Sequence, residues 1–160
     1  MILTDLNQRR ALLARSAAVA MVGASNDPLR PSYTVFSFLR TGDRYTVTPI
    51  SPKVESIDGI RAYASLTAYA DTHGAPDIVD VFRNPASVLP IVDESIAIGA
   101  KAIWFQYGVV NQEAIARAEA AGLDVVVDRC IKVEIARFTG GLATAGLNSG
   151  IISSRRTGVR

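Results

Sequence analysis

The stretch that decides the fold runs Ala17-Ala18-Val19-Ala20-Met21-Val22 and then Gly23-Ala24-Ser25-Asn26-Asp27-Pro28. Six apolar residues without an alternating polar partner read as a strand buried on both faces, and the glycine, polar and proline residues that follow break it into a turn-rich loop. A strand of that kind belongs in a parallel sheet covered by helices on both sides. The flanking sequence repeats the theme, which makes this chain an α/β protein.

Upstream, Leu3, Leu6, Leu12 and Leu13 recur among polar residues between Asp5 and Arg15, the pattern of an amphipathic helix across the sheet edge. Downstream, a helix is expected over residues 32–40 and a second strand over 44–50, with weak helical character over 62–70. Asp77-Ile78-Val79-Asp80-Val81-Phe82 reads as a third strand whose carboxylates mark its ends or one exposed side. A helical pattern follows over 85–98, a strand over 101–105, an alanine-rich helix over 111–121 closed by Gly122, a strand over 123–127 and a last helix over 130–138. Strands alternating with helices predict right-handed βαβ units in a single Rossmann-like doubly wound domain, a mainly parallel sheet of about five strands. The domain is expected to occupy residues 1–138, with a flexible tail over 139–160.

The 160 residues are enough for one self-sufficient core. A net charge of +2, spread over 17 basic and 15 acidic residues, provides no broad basic face for nucleic acid. One cysteine, Cys130, and one histidine, His73, offer neither an internal disulfide nor a zinc cluster. No apolar run approaches the roughly 20 residues that span a bilayer, and no cleavable leader is visible, so a cytoplasmic protein without membrane contact is expected. The alanine-rich helix makes a homodimer conceivable.

In a doubly wound sheet, ligands lie beyond the carboxyl ends of the strands where strand order reverses. The loop over residues 23–33 is therefore the first candidate site. Gly23 permits close backbone approach, Ala24 follows it, and Ser25 offers a hydroxyl. Free N–H groups at the helix start near Ser32 suit a pyrophosphate. Arg30 adds a cation, while Pro28 and Pro31 restrict the loop in advance. On this reading Gly23→Val blocks phosphate approach and spares most of the fold.

The G-x-G-x-x-G spacing of dinucleotide sites is absent. Strand two ends in Thr48-Pro49-Ile50-Ser51-Pro52-Lys53, with Lys53 where NAD sites place an acid. A lysine there attracts a phosphate on the ribose, the 3′-phosphate of coenzyme A or the 2′-phosphate of NADP alike. His73 reads as a solvated loop residue, and Cys130 reads as a buried packing residue; facing the crevice, it could instead form a mixed disulfide with coenzyme A. Residues 128–137 carry charges suited to ion pairs along a helix, including Asp128 with Lys132. Trp104 and Phe105 read as filling the two faces of a strand, leaving Tyr107 to reach the site. Asp77 and Asp80 fall on opposite strand faces and form no acid-base pair.

Taken together, Val22-Gly23-Ala24-Ser25 with Arg30-Pro31-Ser32-Tyr33, the turn from Thr48 to Lys53, Val79-Asp80-Val81-Phe82-Arg83, Trp104-Phe105-Gln106-Tyr107-Gly108 with Asn111, and Asp128-Arg129-Cys130 with Lys132 and Glu134 resemble the CoA-binding domain family. These are small stand-alone proteins similar to the N-terminal domain of succinyl-CoA synthetase α subunits. The resemblance covers residues 17–138 and implies coenzyme A or an acyl-CoA as ligand. It implies that the first loop, with Arg30, Pro31, Ser32 and Tyr33, cradles the pyrophosphate and that Pro49 and Lys53 border the adenosine phosphate. Phe82, Arg83, Gln106 and Gly108 are implied to lie along the same crevice. Family members often carry Asn at the place of Ser51 and His at that of Ile135. The resulting expectation is non-catalytic binding. Its rivals are an NADP-dependent oxidoreductase, an acyl-CoA ligase subunit completed by a separate partner, and an acyl-CoA sensor.

Overall fold

The computed structural model describes residues 1–139. In chain order the elements are α1 (Leu6–Arg15), β1 (Ala18–Val22), α2 (Pro31–Leu39), β2 (Thr46–Ile50), β3 (Ser56–Ile57), β4 (Ile60–Arg61) and α3 (Leu66–His73). They continue with β5 (Ile78–Val81), a 3-10 turn at Pro85–Ser87, α4 (Leu89–Ala97), β6 (Ala102–Phe105), α5 (Gln112–Ala120), β7 (Asp124–Val126) and α6 (Ile131–Thr139). The main sheet has five parallel strands in the order β2-β1-β5-β6-β7. This is the Rossmann-like α/β architecture that the apolar strands and intervening helices predict.

Alternate strand residues feed two cores, because successive side chains leave opposite faces. Val19, Met21, Ala102 and Trp104 meet α1, α2 and α6 on one side. Ala20, Val22, Ile103 and Phe105 meet α3, α4 and α5 on the other. Trp104 and Phe105 therefore fill opposite cores, as expected, and Trp104 Nε1 finds the Arg129 carbonyl at 2.8 Å.

Several local expectations change. Helix α1 packs on a sheet face against α6 instead of lying across the edge. The residues before it pair with β7, through Leu3 N to Val125 O at 2.8 Å. The joint between α1 and α6 is a buried ion pair, Arg9 Nε to Glu134 Oε2 at 2.9 Å. The charges near residue 130 thus act across elements as well as along one: Asp128 accepts from Gly108 N, and Lys132 stands over the Phe38 ring. His73 lies at the end of α3, exposed and 2.9 Å from Tyr63 Oη, not in a loop. Thr139, assigned to the tail, closes α6, and residues 140–160 lie outside the described residues. No helix among the described residues is long and apolar enough to cross a membrane.

The β3-β4 hairpin was not foreseen. Asp58 and Gly59 turn it with φ of 48° and 79°, values that a two-residue turn of this hand requires. It braces the loop after β1, since Asn26 Nδ2 donates to Ser56 O at 3.0 Å, and it braces α2, since Tyr33 Oη lies 3.1 Å from the Asp58 carboxylate.

Candidate functional site

Strand β1 connects outward to β2 through α2, while β5 lies on its other side. The loops leaving β1 and β5 therefore diverge, and a crevice opens between them at the carboxyl edge. A cavity of about 610 Å³ occupies that place. Beyond β1 come Gly23, Ala24 and Ser25, followed by Arg30 and the first residues of α2, Pro31 and Ser32, with Val35. Ser51, Lys53 and Val54 line it beyond β2, Phe82 and Arg83 beyond β5, Gln106, Tyr107 and Val109 beyond β6, and Cys130 beyond β7.

Local chemistry leaves this wall polar. Helices α1, α3 and α5 are capped by the side chains of Asp5, Ser65 and Asn111, whereas the N-cap of α2 is Arg30, whose side chain makes no cap bond. Pro31 has no N–H, so the first turn of α2 offers the Ser32 amide and the positive end of its dipole to the cavity. Ser25 Oγ accepts from Asp27 N at 3.0 Å, which leaves its own proton to donate. Arg30 is exposed and stands 3.8 Å from Asp27 Oδ2. Lys53 is exposed, its backbone N–H turned onto Ser51 Oγ at 3.2 Å.

Gly23 has a different job from the one its sequence suggests. Its φ is +82°, and a Cβ there would stand 2.2 Å from the Phe82 carbonyl oxygen. The glycine lets the ends of β1 and β5 close on each other, so Gly23→Val strikes the fold before any ligand.

At the floor of the cavity Gln106 is 3% exposed, and its Nε2 donates to Asp80 Oδ1 at 2.6 Å. Asp80 is fully buried in mid-sheet, beside Met21 and Trp104, and its Oδ2 has no partner. Burial pushes its carboxyl up to about 7, against the opposing pull of the Gln106 and Val81 hydrogen bonds. An exposed or strand-end position, as the sequence suggested, is therefore wrong for Asp80.

Three residues taken from the resemblance do not line the cavity. Tyr33 turns its hydroxyl to Asp58. Pro49 lies inside β2, on an edge where a missing N–H is tolerated, and its carbonyl takes Tyr63 N at 3.0 Å. Gly108 is exposed, its N–H bound to Asp128 Oδ1 at 2.8 Å. Conversely, Val35, Ser51, Val54 and Val109 line the cavity without being named as site residues from the sequence. Cys130, read as buried, is half-buried in the cavity wall.

The sequence profile described as the CoA binding domain matches residues 17–136, the span that builds all five strands and this cavity. The chain belongs to the CoA-binding domain family. Within reach of this CoA-binding domain, the uncharacterized protein YneT of Bacillus subtilis (strain 168) is 33% identical over 124 residues, 78% of this chain and 89% of YneT. The crystal structure of Prb, a protein redesigned for binding, superposes with a TM-score of 0.80 at 33% identity, over 88% of this chain and 96% of Prb. A dinucleotide-forming acetyl-coenzyme A synthetase of Ca. Korarchaeum cryptofilum, in complex with phosphate and ADP, superposes with a TM-score of 0.59 at 25% identity. That match covers 68% of this chain and 25% of the synthetase chain.

Proposed function

We propose that this cavity binds coenzyme A or a short acyl-CoA non-covalently, with no catalytic step assigned to the domain alone. The observation that carries the reading is the uncapped start of α2 facing the same cavity as Arg30, Lys53 and Arg83. The bare Ser32 amide and the positive dipole end at this helix start suit a pyrophosphate, and three cations around it suit a ligand with a further phosphate. Val35, Val54, Phe82 and Val109 supply apolar wall for the rest of such a molecule. The donor set thus fits the group that the family name implies. Lys53 and Ser51 would border the ribose phosphate, and the Ser25 hydroxyl and Ser32 amide would hold the pyrophosphate. When bound, coenzyme A supplies a thiol and its thioesters.

Lys53 would serve the 2′-phosphate of NADP equally well, so the deciding experiment compares ligands. Calorimetric titration of the full chain with coenzyme A, dephospho-CoA, NADP and NAD is expected to rank coenzyme A first and dephospho-CoA second. Preferential binding of NADP overturns the reading.

A further inference from the structure

The carboxyl edge of the sheet is an ordered row. The spatial order β2-β1-β5-β6-β7 sets Lys53, Ser25, Arg83, Gln106 and Cys130 one strand apart in turn, all on the wall of one cavity. Strands in a sheet are spaced by about 4.8 Å, so the row is about 19 Å from end to end. Coenzyme A has a direction too: ribose phosphate, pyrophosphate, amide-bearing pantetheine arm, thiol. With the phosphates beside Lys53 and the β1 loop, as proposed above, the arm runs past β5 and β6 and the sulfur arrives at β7.

Two side chains on that far stretch are unexplained by phosphate binding. Gln106 is buried to 3% exposure, and among the described residues no hydrogen bond reaches its Oε1, although its Nε2 is fixed by Asp80. That oxygen is open to the cavity Gln106 lines and has a free valence to accept a ligand donor, and a pantetheine amide N–H is a donor of the right kind. One strand farther on, half-buried at the start of α6, stands the only thiol of the chain, Cys130.

We propose that Cys130 undergoes thiol–disulfide exchange with disulfides of coenzyme A and holds the CoA moiety as a protein mixed disulfide. This rests on the CoA reading and adds a covalent step to it. Cys130 gives its proton to solvent, and Sγ attacks one sulfur of a coenzyme A disulfide. The new bond joins Sγ to that sulfur, the old S–S bond breaks, and the second coenzyme A leaves as a thiolate that takes up a proton. The disulfide is the only oxidant required, and attack by a free thiol reverses the step. Contacts along the row select this disulfide from others by holding its sulfur near Sγ.

The test uses the reduced full chain with coenzyme A disulfide or glutathione disulfide at equal concentration, followed by intact-mass spectrometry. One CoA adduct per chain, at Cys130, is expected to form at least about tenfold faster than the glutathione adduct in the native protein, with the preference lost in denaturant. Gln106→Ala is expected to slow the CoA reaction and leave the glutathione reaction unchanged. Equal native rates for the two disulfides overturn the proposal. Titration of Cys130→Ser with reduced coenzyme A separates the two ideas. If this variant binds while the wild type resists the disulfide, only the exchange is wrong; if neither occurs, the site assignment falls as well.

Discussion

Asp77 stands just before β5 and Asp80 three residues on, inside it, and their carboxyl groups move in opposite directions. Partial burial works to raise Asp77. It is outweighed by the hydrogen bond from Lys101 Nζ at 2.6 Å and by the Ala18 and Ala17 amides at 3.0 and 2.9 Å, which hold it at about 2. Asp80 has no cation, one side-chain donor in Gln106 and an unpartnered Oδ2, and burial lifts it to about 7. The amino edge of the sheet is thus closed by the protein's own groups. At the carboxyl edge polar valences are left unfilled beside a cavity, and this asymmetry separates a closed structural end from the end proposed to bind.

An open edge need not be a loose one, and Gly23 is the place to break that distinction. Gly23→Ala puts a Cβ into the Phe82 carbonyl and a side chain at positive φ, so a loss of about 2–5 kcal/mol is expected. Urea denaturation measures it. A variant of wild-type stability would mean that the β1–β5 junction yields freely, and the cavity between them would then be a soft feature.

The two aspartates predict opposite pH profiles. The folded Asp80 carboxyl titrates above its unfolded value, so below pH 3.8 both states are protonated and it has no effect. From about 3.8 to about 7 the unfolded chain ionises first, stability falls as pH rises, and above 7 the penalty stays constant. Asp80→Asn should abolish that slope and gain about 1–3 kcal/mol at pH 8, with no gain at pH 3. Asp77 behaves in reverse: its stabilisation is complete above pH 3.8 and is lost as pH falls toward 2. Asp77→Asn should lose about 1 kcal/mol at pH 7, since water screens the exposed Lys101, and almost nothing at pH 2. Urea midpoints across pH for both variants test the pair, and parallel profiles would contradict the assignment.

The same contrast explains what the sequence could disclose. Strands such as Ala18–Val22 and Ala102–Phe105 are unbroken apolar runs because helices cover both faces, so they and the fold class are legible from residue type alone. The loop after β1 follows from a rule about such sheets. The hairpin at Asp58-Gly59 carried a turn signal between Ile57 and Ile60, but two-residue strands show no periodicity. Asp80 was misread because a carboxylate in a short strand suggests exposure, and its burial depends on Met21 and Trp104 from neighbouring strands. Cys130 reaches the cavity only through the sheet order, a long-range property. The resemblance placed Tyr33 and Gly108 near the ligand, while Asp58 and Asp128 occupy their polar groups.

The smallest effect on the fold belongs to Lys53. Its side chain is exposed and makes no hydrogen bond within the described residues, only its backbone N–H being engaged by Ser51. Lys53→Ala should therefore change stability by no more than about 0.5 kcal/mol. Its consequence should appear in selectivity, because the lysine is the cation at the β2 end of the row. Coenzyme A affinity should drop about three- to tenfold in low salt, with dephospho-CoA unaffected, so that the two ligands converge. Raising the salt should shrink the wild-type difference in the same way, since exposed charges are screened within about 10 Å at 0.1 M. Equal losses for both ligands would move the ribose phosphate away from β2 and reverse the direction in which the ligand lies along the sheet.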